Sequence, residues 1–142
     1  MIEAGSSDRF DRLGQVLFEP TRTQRLAAGL LLAACLANLF YHGQQPYAVG
    51  LFRAPWDKLA HLTMFFGTSV LLWVIFAARS GRAIVLSIAL IGLLDEFAQS
   101  FNPGRSVDLS DWIVDVCASV LAVLCLRWLR ARLRAGRAAA AG

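Results

Sequence analysis

The sequence predicts an all-α integral membrane protein with four transmembrane helices, both termini cytoplasmic, and a short N-terminal amphipathic helix. Three observations carry that prediction. Hydrophobic residues make up 57% of the chain, charged residues only 17%, and mean hydropathy is +0.54. Apolar runs close to membrane thickness recur between clear breakers. Basic residues gather on alternate connections, as a fixed topology requires.

The elements follow in order. Residues 1–25 mix both charge signs with Phe10, Leu13, Val16 and Leu17 at three- to four-residue spacing, which suits a short cytoplasmic helix at the membrane surface. A cleaved signal peptide does not have both charge signs ahead of its apolar run. Pro20 ends that helix, and Thr21 or Thr23 is placed to cap the next. The membrane domain covers 26–129. Its first span is expected over Leu26–Tyr41, followed by a loop broken by Gly43, Pro46, Gly50 and Pro55. The second is expected over Asp57–Ala78, and Arg79-Ser80-Gly81-Arg82 makes a tight basic turn. The third runs over Ala83–Phe101 and stops at Asn102-Pro103-Gly104. The fourth covers Trp112–Leu129, and 130–142 reads as a basic, disordered cytoplasmic tail rich in Ala and Gly.

Charge sets the orientation. With both termini and the 79–82 turn on one side, that side holds Arg9, Arg12, Arg22, Arg25, Arg79, Arg82, Arg127, Arg130, Arg132, Arg134 and Arg137. The other side holds only Arg53, Lys58 and Arg105, which completes the 14 basic residues. The arginine-rich side is therefore expected to be cytoplasmic. The net charge of +4 does not indicate nucleic acid, because the arginines flank apolar segments and form no stripe interleaved with aromatics. Cys35, Cys117 and Cys125 are odd in number and lie within apolar segments, so they read as small buried hydrophobes and not as a disulfide framework.

Candidate chemistry gathers at the outer ends of three spans. Asp57, Lys58 and His61 open the second, Glu96 and Gln99 close the third, and Asp111 and Asp115 open the fourth. At 1.5 Å per residue, His61, Glu96 and Asp115 lie on the order of 5–8 Å below the outer ends. Each charge facing lipid there costs roughly 2.5–3.5 kcal/mol, so these groups are expected to converge on the bundle interior or a wet cavity. Helical spacing agrees. Asp57 and His61 are four apart, Asp108, Asp111 and Asp115 repeat at three and four, and Glu96 and Gln99 are three apart. Asp95 points about 100° from Glu96, so only one of the two is expected to face the centre.

Each group also has a structural alternative. Asp57 suits a helix N-terminus and Lys58 can snorkel to the interface. Asp108 or Asp111 can cap the fourth span. Glu96 can pair with Lys58 or Arg105. Trp56, Trp112 and Tyr41 read as interface anchors.

Asp57-Lys58-Leu59-Ala60-His61 with Phe65, Asp95-Glu96-Phe97-Ala98-Gln99, and Pro103-Gly104-Arg105-Ser106 with Asp108 and Asp111 resemble the VanZ-like family in order and spacing. The resemblance covers about residues 50–129. Asp115 stands where that family usually has Asn, and Ala118 and Ala122 stand where it has glycines. The resemblance implies a multi-pass protein of the bacterial cytoplasmic (inner) membrane, and the family's association with teicoplanin-type resistance implies a role at the cell envelope.

Two function classes follow. In the first, an outward-facing site recognises or modifies an anionic lipid-linked envelope molecule. Glu96, His61 and Asp111 are the catalytic candidates, and Lys58, Arg105, Asp57, Gln99, Asp108 and Asp115 contact the substrate. In the second, the protein is a membrane accessory subunit whose polar network is structural and which docks a membrane protein partner. Membrane lipids are partners in either case. No cofactor or metal is expected, since no His-x-x-x-His pair occurs.

Overall fold

The computed structural model describes residues 12–45, 47, 55–77, 80–102 and 107–140. Among them the fold is all-helical. A short helix α1 over 12–18 is followed by α2 (Arg22–His42), α3 (Trp56–Ile75), α4 (Gly81–Gln99) and α5 (Leu109–Ala140). Three of these, α2, α3 and α5, are long and apolar enough to cross a membrane. The fourth long helix, α4, has 19 residues, but Arg82, Asp95 and Glu96 interrupt its apolar run near the two ends.

Helices α2, α4 and α5 start where a side chain satisfies a free N–H group, whereas α3 follows Pro55 without a side-chain cap. Thr21 caps α2 in a reciprocal box: the N–H of Gln24 donates to Thr21 Oγ1 (3.2 Å), and the N–H of Thr21 donates to Gln24 Oε1 (2.9 Å). Ser80 accepts from the N–H of Ala83 to open α4. Asp108 accepts from the N–H of Ser110 at 2.8 Å to open α5. The end of α3 is less comfortable. Ala77 takes a left-handed conformation (φ 49°) just past the last turn, at a position that favours glycine.

The core lies between α3, α4 and α5. Phe65, Ser69, Leu72 and Trp73 of α3 face inward. So do Ile84, Ile88 and Gly92 of α4, and Ala118, Ser119, Ala122 and Leu126 of α5. Their three- and four-residue spacing defines one stripe per helix. The most extensive packing is α3 against α5, then α4 against α5. Small residues permit it: Ala118, Ser119, Ala122 and Ser69 are all completely buried. Membrane helices associate through such close backbone approach, because lipid tails supply no hydrophobic drive between them. By contrast α2 leans on α3 at one edge, buries only Ala28, and exposes Leu26, Leu30 and Leu31.

Two expectations are corrected here. The expected disordered tail at 130–142 is helical as far as Ala140, since α5 runs on without a break. Leu, Arg and Ala are strong helix formers, and α1 packs against the extension. A Cβ added at Gly14 would sit 3.2 Å from Leu133, and the Arg130 guanidinium stands 5.8 Å from the centre of the Phe18 ring. Trp73 donates from Nε1 to the carbonyl of Leu17 (3.0 Å) and meets Phe18 edge-on, so α1 is tied into the arginine-rich end of the bundle. The cysteines differ as well. Cys117 and Cys125 lie on the outer face of α5, because helical phase turns them away from the buried stripe of Asp115, Ala118, Ala122 and Leu126, and Cys35 of α2 is half-buried.

Replacing Ala77 by Gly removes the left-handed strain and is expected to raise stability by about 0.5–1 kcal/mol, seen as a higher thermal midpoint in detergent. Trp73→Phe keeps the ring but loses the donor to Leu17. It is expected to cost about 1 kcal/mol and to speed amide exchange selectively over 12–18.

Candidate functional site

The site forms at the end of the bundle opposite the arginines, where α3 begins, α4 ends and α5 begins. Lys58 lies in the first turn of α3 and its ammonium reaches α5. It donates to Asp108 Oδ2 at 2.9 Å and to Asp111 Oδ1, with Asp57 Oδ2 at 3.9 Å. One helical turn deeper, His61 faces the next two carboxylates. Its Nδ1 is 2.9 Å from Asp115 Oδ1, and its Nε2 is 3.9 Å from Asp111 Oδ2. The His61 ring stacks nearly parallel on Phe65, with centroids 6.0 Å apart. The three-residue step from Lys58 to His61 is thus matched by the four-residue step from Asp111 to Asp115 on the facing helix.

Glu96 closes the site from α4. Its Oε2 accepts the backbone N–H of Asp108 at 2.9 Å, pinning the entry of α5 to the end of α4. The expected alternative partner, Lys58, is engaged by Asp57, Asp108 and Asp111. Gln99 donates to Asp95 Oδ2 at 2.8 Å along its own helix. Both Asp95 and Glu96 are buried, at 1% and 4% exposure, which corrects the expectation that only one of the pair faces inward. The cluster surrounding them is wide enough to take two adjacent residues, with Asp95 held by Gln99 and Glu96 by the α5 entry. The i,i+4 spacing of Asp95 and Gln99 was the available signal.

Asp108 is the member of the cluster in the connection ahead of α5. The Ser110 hydroxyl and the Lys58 ammonium, with the Ser110 backbone N–H, hold its carboxyl well below the usual carboxylate range. Asp108 therefore combines the capping role with an ion pair. Arg105, expected to hold an anion beside Lys58, lies outside the described residues.

Depth and solvent access divide the cluster. Lys58 and Asp108 are partly open to solvent at its mouth, while Asp115 at 1% exposure forms its floor. Among the described residues, Glu96 Oε1 and Asp115 Oδ2 have no hydrogen-bond partner although both are buried. Gly92 was not singled out by the sequence, yet it makes room for the floor. A Cβ there would sit 2.7 Å from Asp115 Oδ2 and 3.3 Å from Trp112 Cδ1. Trp112, expected as an interface anchor, is half-buried and donates from Nε1 to the Ala89 carbonyl of α4 at 2.9 Å. A second polar contact, between the Asn102 amide and Gln44 Oε1, joins the end of α2 to the end of α4. Among the described residues, no group of three or more His, Cys, Asp and Glu side chains is arranged to hold a metal ion.

Chemically, this is an imidazole oriented on one nitrogen by a buried carboxylate, with its other nitrogen 3.9 Å from a second, half-buried carboxylate. That arrangement positions a proton donor or acceptor. Gly92→Ala is expected to push Asp115 off His61 and cost about 1–3 kcal/mol by overpacking. In an Asp115→Ala background the same substitution should cost much less, a non-additivity that a double-mutant cycle on thermal unfolding measures.

Comparison with curated proteins and with solved structures finds no match. A family model described as VanZ/LLP1 matches residues 10–130, most of the chain, and spans every residue of the cluster. On that match, the chain belongs to the VanZ/LLP1 family.

Proposed function

We propose that this protein is a four-span protein of the bacterial cytoplasmic membrane with both termini cytoplasmic. In this reading α4 is the remaining span. At 1.5 Å per residue it is about 28 Å long, near the roughly 30 Å of a hydrocarbon core. Its charges lie near its two ends, with Asp95 and Glu96 turned into the bundle. Eleven of the 14 basic residues then face the cytoplasm, and the cluster opens outward.

The site, in this proposal, recognises or modifies an anionic lipid-linked envelope molecule, with an effect on teicoplanin-type glycopeptide resistance. His61 transfers the proton, Asp115 orients it, and Asp111 stands beside its second nitrogen. Lys58 and Arg105 attract the anionic headgroup, with Asp57 and Asp108 at the mouth. Glu96 and Gln99 shape the α4 wall. The observation that carries the reading is the His61–Asp115 contact at 2.9 Å, roofed by a partly exposed lysine. Asp115 holds Nδ1, and Nε2 makes only a long 3.9 Å approach to Asp111, which suits an imidazole that exchanges a proton.

A second reading has its own support. Lys58 is bracketed by three carboxylates and Glu96 grips the α5 entry, which is how a network that only orders the bundle would look. The protein would then be a non-catalytic accessory subunit that docks a membrane protein partner.

The deciding experiment expresses His61→Ala, Glu96→Gln and the charge-neutral pair Lys58→Met with Asp111→Leu at equal levels. Lipids copurifying with each are read by mass spectrometry, alongside glycopeptide sensitivity. The site reading expects His61→Ala to lose the phenotype and the copurifying lipid, and the neutral pair to lose both as well. Full retention by His61→Ala sinks it. Retention by the neutral pair, with a partner protein still copurifying, favours the accessory subunit.

A further inference from the structure

The arginine-rich end carries a feature unrelated to the polar cluster. Between α4 and α5 lies a groove of ≈ 380 Å³, open along the outside of the bundle. Arg82 and Arg127 line one end. Val85, Leu86, Val120 and Leu124 form the wall that leads away from them. We propose that this groove binds an anionic phospholipid, with its phosphate between Arg82 and Arg127 and an acyl chain along the apolar wall.

Register and charge support one occupant. Leu86 lies four residues from Arg82, Leu124 three from Arg127, and Val120 four further, so each helix has a cation at the end of an apolar ridge. From Arg127 to Val120 the wall runs about 10 Å into the bilayer. That is the layout of a lipid, charged at the interface and apolar below it. Among the described residues no carboxylate lines the groove, so none of them neutralises the two guanidinium groups there. Arginine suits phosphate because its planar fork donates two parallel hydrogen bonds.

The start of α4 is shaped to let Arg127 approach it closely. A Cβ at Gly81 would stand 2.7 Å from Val123 Cγ1 and 2.9 Å from Arg127 Nη2. With glycine there, Arg127 lies across the first turn of α4, beside the partial positive charge of that helix end. The Ser80 side chain takes the N–H of Ala83. A free phosphate would use the cationic end alone and leave the apolar wall without a role.

The test uses full-length protein purified in detergent and titrated with phosphatidylglycerol or phosphatidylcholine, with bound lipid counted by native mass spectrometry. Wild type is expected to retain phosphatidylglycerol over phosphatidylcholine. The pair Arg82→Gln with Arg127→Gln should weaken that retention about tenfold or more. The pair Arg132→Gln with Arg134→Gln removes the same charge outside the groove and should leave retention unchanged. Equal loss in both pairs would mean diffuse attraction to a basic surface and would overturn the proposal. Displacement by glycerol 3-phosphate as effective as by the lipid itself would overturn the acyl-chain part. An independent arm needs no variant. Phosphatidylglycerol with a photoreactive acyl chain should crosslink wild-type protein over 82–86 and 120–124, and adducts spread evenly over the exposed face of α2 would refute the groove.

Discussion

The rest of the structure depends on how α3 meets α5 where charge is buried. Lys58 and His61 on one helix face Asp111 and Asp115 on the other, at matching heights. An ionised group that leaves water without a partner costs several kcal/mol, so this contact cannot slide by a turn without stranding a charge. Register is thereby set at one end of the pair. Along the remainder of the interface, Ser69, Ala118, Ser119 and Ala122 allow close approach but specify little by themselves.

From that contact the other features follow. Glu96 reaches from α4 to the backbone of Asp108, and Gly92 accepts the Asp115 carboxylate against its own helix, so α4 is fitted to an α3–α5 pair already in register. The entry of α5 is held by its own cap, by Lys58 and by Glu96 at once. A ligand that competes for any of these three bonds would loosen the start of the longest helix. Binding at the mouth and the packing of the bundle are therefore coupled through the same few atoms.

The two ends of the bundle use opposite chemistry. One concentrates carboxylates around a lysine and a histidine, and buries Asp95, Glu96 and Asp115 among them. The other displays arginines at the surface and ties α1 beneath them through Trp73 and Phe18. The difference follows from side-chain length. Arginine keeps its charge in water or at headgroups while its stem lies on apolar surface, whereas short aspartates placed one turn inside a helix must be solvated by the protein.

Much was legible from the residues alone. Periodicity and breakers placed both ends of α2, α3 and α4 and the start of α5 within a few residues of where they are observed, and Thr21 was in place as a cap. The spacing of Asp57, Lys58, His61, Asp108, Asp111 and Asp115 put them on facing stripes, because helical geometry is local and repeats along the chain. What only the tertiary structure decided is which groups pair across helices. Glu96 meets a backbone N–H in place of Lys58, Asp95 is buried beside it, and Gly92 makes room for Asp115. The helical course of 130–140 belongs to the same class, since α1 supplies its packing from far away in sequence. Local propensity fixes the axis and face of each helix. The distance between two helices depends on every side chain at their contact, and no single segment contains that information.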